Sequence, residues 1–242
     1  MNLVVDVGNT SVKLAVFSNN IIVKKKSVKL KYIGKHVDDL LNAFPEITSG
    51  VVSSVGKLDK SHIDKLKSKL NWLYLNSETK LPFTNNYKTP KTLGVDRIAI
   101  VSASVFHYPN NNVLIIDAGT CITFDFVTSK NEYLGGAISP GTRMRYKALN
   151  NFTANLPLLK KQKPDNLIGN STESSMHSGV VNGVLNEIDG VISSYKLKYP
   201  DLTVILTGGD CKFLSKQLKS SIFANSIFLL EGLNYILEFN SN

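Results

Sequence analysis

Leu3-Val4-Val5-Asp6-Val7-Gly8-Asn9-Thr10-Ser11-Val12-Lys13 is the stretch on which the rest of this chain is organised. Its apolar run suits a buried strand. It leads through Asp6 into a Gly-Asn-Thr turn, whose small and hydroxyl side chains leave backbone N–H groups accessible. Apolar alternation resumes at Val12, Leu14 and Val16, so the stretch reads as strand, tight turn, strand with one acid at the bend. A carboxylate at the end of a hydrophobic strand loses solvation, and leaving it unpaired costs on the order of 3–5 kcal/mol. Asp6 therefore needs a positive partner. Two fit: a hydrated Mg²⁺ carrying nucleotide phosphates that the turn N–H groups and the Thr10 hydroxyl contact, or a plain ion pair to Lys13.

The layout returns far down the chain in Val113-Leu114-Ile115-Ile116-Asp117-Ala118-Gly119-Thr120-Cys121-Ile122-Thr123-Phe124. Two such hairpins imply two similar half-domains whose acidic turns face each other across a cleft. A third apolar run ends in a third glycine turn, Val204-Ile205-Leu206-Thr207-Gly208-Gly209-Asp210, suited to the far end of a nucleotide.

These three segments resemble the phosphate 1, phosphate 2 and adenosine motifs of the actin, Hsp70 and sugar-kinase superfamily. The remaining motifs are similar to one branch of it, the type III pantothenate kinases. They are Asp6-x-Gly8-Asn9-Thr10 with Lys13, Tyr87-x-x-Pro90-x-x-Leu93-Gly94-x-Asp96-Arg97, and Asp117-x-Gly119-Thr120 with Asp125. Further on come Gly135-Gly136-x-Ile138-x-Pro140-Gly141, Gly169-x-x-Thr172, Thr207-Gly208-Gly209-Asp210 and Glu231-Gly232-Leu233, so the likeness runs nearly end to end.

The 242 residues, 43% of them hydrophobic, suit one large domain or two small ones, and two lobes of roughly 120 residues fit best. The expected fold is α/β, two ribonuclease-H-like (actin-like ATPase) lobes over residues 1–112 and 113–242 with a nucleotide cleft between them. No apolar run reaches the ~18 residues of a membrane span, and Met1 leads straight into a strand without a charged leader, so a soluble, cytoplasmic protein is expected. Two cysteines, Cys121 and Cys211, make neither a disulfide framework nor a zinc site. Each follows a nucleotide turn, so thiol reagents are expected to inactivate the protein and ATP to protect it. The net charge of +9 comes from scattered lysines without an aromatic-interleaved stripe, which argues against nucleic acid as the partner.

Taken in order, strands at 3–8, 12–17 and 21–28 precede a helix over 36–44 that stops at Pro45. A strand at 50–55, a lysine-rich helix at 60–70 and a short strand at 72–75 complete the ribonuclease-H-like order. A polar loop over 80–90 delivers Tyr87, and a helix runs from 98 to 106. That places Asp96 near a helix start, where capping is the bland alternative to a functional role. The second lobe should hold a hairpin over 113–127, a return strand at 133–138 and helices at 143–150 and 173–197. A strand at 204–207, a helix at 212–219, a strand at 226–229 and a final helix at 232–239 follow.

The resemblance implies phosphoryl transfer from ATP to the primary alcohol of pantothenate. Asp6 would hold Mg²⁺, with Val7, Gly8, Asn9, Thr10, Ser11, Val12 and Lys13 around the phosphates. Gly119 and Thr120 would contact phosphates from the second lobe, and Gly208 and Gly209 the nucleoside end. Asp117 would keep a monovalent cation, K⁺ or NH₄⁺. Asp96 would be the catalytic base, and Tyr87, Gly94, Val95, Arg97 and Thr172 would complete the pantothenate site with it. The family's dimers imply a homodimer in which the partner contributes Thr172. Two other readings remain: a kinase or phosphatase of the same superfamily acting on a sugar or polyphosphate, and a non-catalytic nucleotide-binding regulator. The Tyr87–Arg97 segment weighs against the first, and the joint presence of Asp6, Asp96, Asp117 and Thr120 against the second.

Overall fold

A computed structural model describes residues 1–8, 11–54 and 70–241. Contacts divide the chain into two compact units. The first is Met1–Pro109 with Asn131–Tyr133 and Phe228–Asn242, and the second is Asn110–Lys130 with Leu134–Ile227.

The first unit is built on a five-stranded sheet of β1 (Asn2–Val7), β2 (Val12–Ser18), β3 (Ile21–Val28), β4 (Ser49–Ser54) and β5 (Asn71–Tyr74), in the order β3-β2-β1-β4-β5. β1 runs antiparallel to β2 and parallel to β4. Side chains alternate across the sheet, so Leu3, Val5, Val7 and Val52 share one core. That core includes Ile33, Val37 and Leu40 of helix α1 (Ile33–Ala43), whose i, i+4, i+7 spacing puts them on one stripe. The next residue, Phe44, precedes Pro45, which disfavours further helix. Alternation puts Val4 and Asp6 on the opposite face, the face on which α2 (Val95–His107) and the last helix lie. The exposed edge strand β3 carries Lys24, Lys25 and Lys26, charges that discourage another chain from pairing there.

The second unit repeats the order with β7 (Val113–Ala118), β8 (Cys121–Val127), β9 (Glu132–Pro140), β10 (Thr203–Thr207) and β11 (Phe223–Ala224), arranged β11-β10-β7-β8-β9. β7 is antiparallel to β8 and parallel to β10. Leu114, Ile116, Ala118, Phe124 and Leu206 pack against Val184, Ile188 and Ile192. The first two residues of β9, Glu132 and Tyr133, group with the first unit and pair in parallel with a two-residue strand β6 (Thr84–Asn85) inside the polar loop. Helix α3 (Thr142–Asn151) follows β9. Helix α4 (Thr172–His177), capped by Ser171, passes through a π-helical turn at Ser178–Asn182 into α5 (Gly183–Lys198).

Several sequence expectations need correction. The helix expected over 212–219 is only α6 (Cys211–Leu214), because the chain beyond Leu214 continues in turns. The strand expected at 226–229 is not one. β11 lies earlier, and Phe228 and Leu229 already begin the final helix, α7 (Phe228–Ser241). Although it follows the second sheet in the chain, α7 packs in the first unit. Its Gly232 sits where a Cβ would come within 1.8 Å of the Ala99 carbonyl oxygen, and its buried Asn234 accepts a 2.9 Å hydrogen bond from Asn2 Nδ2. The helix expected over 60–70 falls, apart from Leu70, outside the described residues, as do Asn9 and Thr10.

Candidate active site

In the first unit Asp6 closes β1 almost wholly buried, opposite Lys13 across the antiparallel pair, and Lys13 Nζ lies 3.3 Å from Asp6 Oδ2. The ion pair that the sequence allowed is therefore present. It does not offset the burial: desolvation pushes the Asp6 carboxyl above its ordinary value, Lys13 pulls it down, and the nearby charge of Asp96 raises it further. Beyond β1 the chain turns back through Gly8, whose N–H donates to the Ser11 carbonyl at 3.1 Å. Val7 and Val12 are register partners and both belong to the core, so they shape the turn by packing.

Asp96 is the second residue of α2, which begins at Val95 rather than at Ile98, so it does not cap the helix. Gly94 is the N-cap, with extended backbone and no capping side chain. Half-buried in the first turn, Asp96 lies where the helix dipole stabilises a negative charge, and its Oδ1 accepts the Arg97 N–H at 2.9 Å. A Cβ on Gly94 would stand 2.4 Å from that same Oδ1, so glycine is what gives the carboxylate its room. Arg97 is buried, its guanidinium 5.5 Å from the Tyr87 ring and 6.0 Å from that of Tyr133. The two tyrosine rings stack with centroids 6.0 Å apart. Tyr133 is fully buried; no local sequence pattern marks it, since it follows the polar turn at 129–132 and is brought near Tyr87 by the pairing of β6 with β9. Tyr87, Gly94, Asp96 and Arg97 thus form one cluster, with Val95 at the helix start between Gly94 and Asp96.

In the second unit Asp117 occupies in β7 the place that Asp6 holds in β1, on the face away from the main core. Two glycine turns border it. Gly119 would bring a Cβ to 3.7 Å from Asp117 Oδ1, and Gly208 would bring one to 2.3 Å. Gly208 adopts φ +94°, a conformation that favours glycine, and the Asp210 N–H donates to the Ala118 carbonyl at 2.9 Å. Thr120 is exposed at the turn, and its carbonyl accepts the Gly141 N–H at 3.1 Å. Gly209 is exposed beside Gly208, with open space around it.

Thr172, the first residue of α4, lines a mostly apolar cavity of about 1110 Å³ with Leu149, Phe152, Met176, Val180 and Arg145. Asp117, Gly119, Thr120, Gly208 and Gly209 do not line that cavity. Of the two thiols, Cys211 is buried, bonded to the Leu206 carbonyl at 3.2 Å and pushed up in pKa chiefly by burial, while Cys121 is half-buried. Cys121 is therefore the thiol a reagent would reach first.

Among the described residues no group of three or more His, Cys, Asp and Glu side chains could cage a metal. Among the described residues no helix is long and apolar enough to cross a membrane.

Comparison with known proteins joins these features. The chain matches the family profile of type III pantothenate kinase over residues 2–194. It is 54% identical over 240 residues to the type III pantothenate kinase of Christiangramia forsetii and 47% identical over 239 residues to that of Flavobacterium psychrophilum, covering 99% of each chain in both cases. Among solved structures it resembles a Baf family transcriptional activator from Campylobacter jejuni, with TM-score 0.64, 22% identity and 99% of both chains covered. It also resembles a ROK family glucokinase from Streptomyces griseus, with TM-score 0.54, 10% identity and 98% of both chains covered. These distant likenesses show the fold alone. The chain belongs to the type III pantothenate kinases.

Proposed function

We propose that this protein transfers the terminal phosphoryl group of ATP to the primary alcohol of pantothenate, giving 4'-phosphopantothenate and ADP, the first step of coenzyme A biosynthesis. The supporting observation is the full-length similarity to type III pantothenate kinases, joined to an acid beside a buried arginine at a helix start. Asp96 accepts the proton of the attacking alcohol. Arg97, steadied by Tyr87 and Tyr133, binds an anionic oxygen of pantothenate, and Gly94 and Val95 bring backbone close to the substrate.

Asp6 would hold Mg²⁺, which supplies positive charge to the phosphates. Its burial and raised pKa fit a carboxylate whose charge Lys13 offsets only in part, leaving room for a metal cation to complete the compensation. Gly8, Asn9, Thr10, Ser11 and Lys13 would contact phosphates, with Gly119 and Thr120 of the other turn, and Gly208 and Gly209 the nucleoside end. Asp117 would keep K⁺ or NH₄⁺, in a cradle that a Cβ on Gly208 would fill. The protein acts as a cytoplasmic homodimer without nucleic-acid or membrane partners, and Thr172 reaches the pantothenate site of the partner subunit.

A mass-spectrometric panel of pantothenate, glucose, N-acetylmannosamine and polyphosphate with ATP, Mg²⁺ and K⁺ tests the substrate assignment. A mass gain of one phosphate on pantothenate alone is expected. Phosphorylation of a sugar in its place would overturn it.

A further inference from the structure

Residues 152–170 run without regular secondary structure, yet side chains tie them down along their length. Asn150 Nδ2 donates to the Leu156 carbonyl at 2.7 Å, Ser178 Oγ donates to that of Leu167, and Ser175 Oγ donates to that of Gly169 at 3.2 Å. In the middle of this strap Lys161 makes two contacts with the segment after the third glycine turn. Its ammonium pairs with Asp210 Oδ1 and lies 5.2 Å from the centre of the Phe213 ring.

The Asp210 side chain is only 15% exposed, and the residue joins the turn to β7 through its N–H on the Ala118 carbonyl. Asp210 also stands as N-cap of α6, yet its carboxylate makes no capping bond there and faces Lys161 instead. The carboxylate next to Gly208 and Gly209 thus faces this lysine.

We propose that Lys161 is a positioning residue for nucleotide binding: by holding Asp210, it keeps the Gly208–Gly209 turn shaped for the nucleoside end of ATP. This rests on the assignment of that turn to the nucleotide. Without Lys161 the Asp210 carboxylate is released to cap α6 or to face solvent, and the turn loses a restraint on its outer side. The effect is on the nucleoside, so ATP and ADP suffer alike and inorganic tripolyphosphate does not.

Titration calorimetry of the full-length protein with Mg²⁺ and ATP, ADP or tripolyphosphate tests this in wild type, Lys161→Met, Asp210→Asn and the double variant, with thermal melts alongside. Each single variant should weaken ATP and ADP by the same roughly fivefold to tenfold, and the double variant should be no worse than either. Tripolyphosphate should bind all four proteins equally, and melting temperatures should hardly change. Nucleotide affinities equal to wild type, additive losses, or losses that only follow melting temperature would overturn the role of Lys161. A wild type that binds tripolyphosphate but gains nothing from the adenosine moiety would instead overturn the assignment of the glycine turn, and this inference with it.

Discussion

Asp6 and Ser53 are register partners in the parallel pair of β1 and β4, and Asp117 and Thr207 repeat the relationship between β7 and β10. In parallel strands register partners project to the same face, so each unit sets a hydroxyl beside its acid. The Ser53 hydroxyl is fully buried and has no hydrogen-bond partner among the described residues. A buried hydroxyl left unsatisfied costs about 1–3 kcal/mol. Ser53→Ala should therefore raise the melting temperature of the ligand-free protein by roughly 2–4 °C per kcal/mol recovered. A fall in melting temperature would show that the hydroxyl is bonded.

Asp6 should oppose stability while serving function. Burial raises its pKa above the ordinary 3.8, so the folded chain holds the proton to higher pH than the unfolded chain does. Between those two values the native state binds more protons, and the contribution of Asp6 to stability falls as pH rises through the window and stays unfavourable above it. Asp6→Asn should stabilise the ligand-free protein at pH 7, with the gain shrinking as the pH is lowered through the raised value towards 3.8. Turnover should drop by about 10²–10⁴ with the loss of several kcal/mol of charge stabilisation. Melts across pH and steady-state rates check both halves; a variant less stable at pH 7 would contradict the first.

Replacing K⁺ and NH₄⁺ by Na⁺ should reduce turnover more than about tenfold if Asp117 keeps a monovalent ion beside the phosphates. Opposite charges 4 Å apart attract by about 4 kcal/mol at an effective dielectric of 20, so a cation between two anionic groups carries weight. Rates in matched chloride salts measure this, and equal rates would remove the assignment.

Gly232 is where α7 meets α2, the helix whose first turn carries Asp96 and Arg97. A Cβ there would fall 1.8 Å from the Ala99 carbonyl oxygen, a backbone atom that cannot rotate aside. Gly232→Ala should cost roughly 1–3 kcal/mol through overpacking and lower turnover by shifting α2. Urea unfolding midpoints and rates should fall together; unchanged stability would mean the helices separate easily.

Local chemistry made much of this legible in sequence. Apolar alternation around Asp6 and Asp117 marks the two hairpins, and the Leu93-Gly94-x-Asp96-Arg97 segment marks the acid and its arginine. What sequence left hidden depends on distant pairing. Tyr133 reaches Tyr87 and Arg97 through the two-residue strand β6, too short to show alternation. The placement of α7 in the first unit hangs on the fit of Gly232 to Ala99, which no local pattern announces. Nothing local marks the early end of α6 either: Leu214 and Leu218 keep helical spacing, yet only Leu214 lies in the helix and the chain beyond it continues in turns.

ADP release by the purified protein with ATP, Mg²⁺ and K⁺, with and without pantothenate, tests the central claim most directly when Asp96→Asn is run in parallel. Release should depend on pantothenate and fall by about 10²–10⁴ in Asp96→Asn, with ATP affinity retained. Release that is indifferent to pantothenate, or an Asp96→Asn protein as fast as wild type, would contradict it.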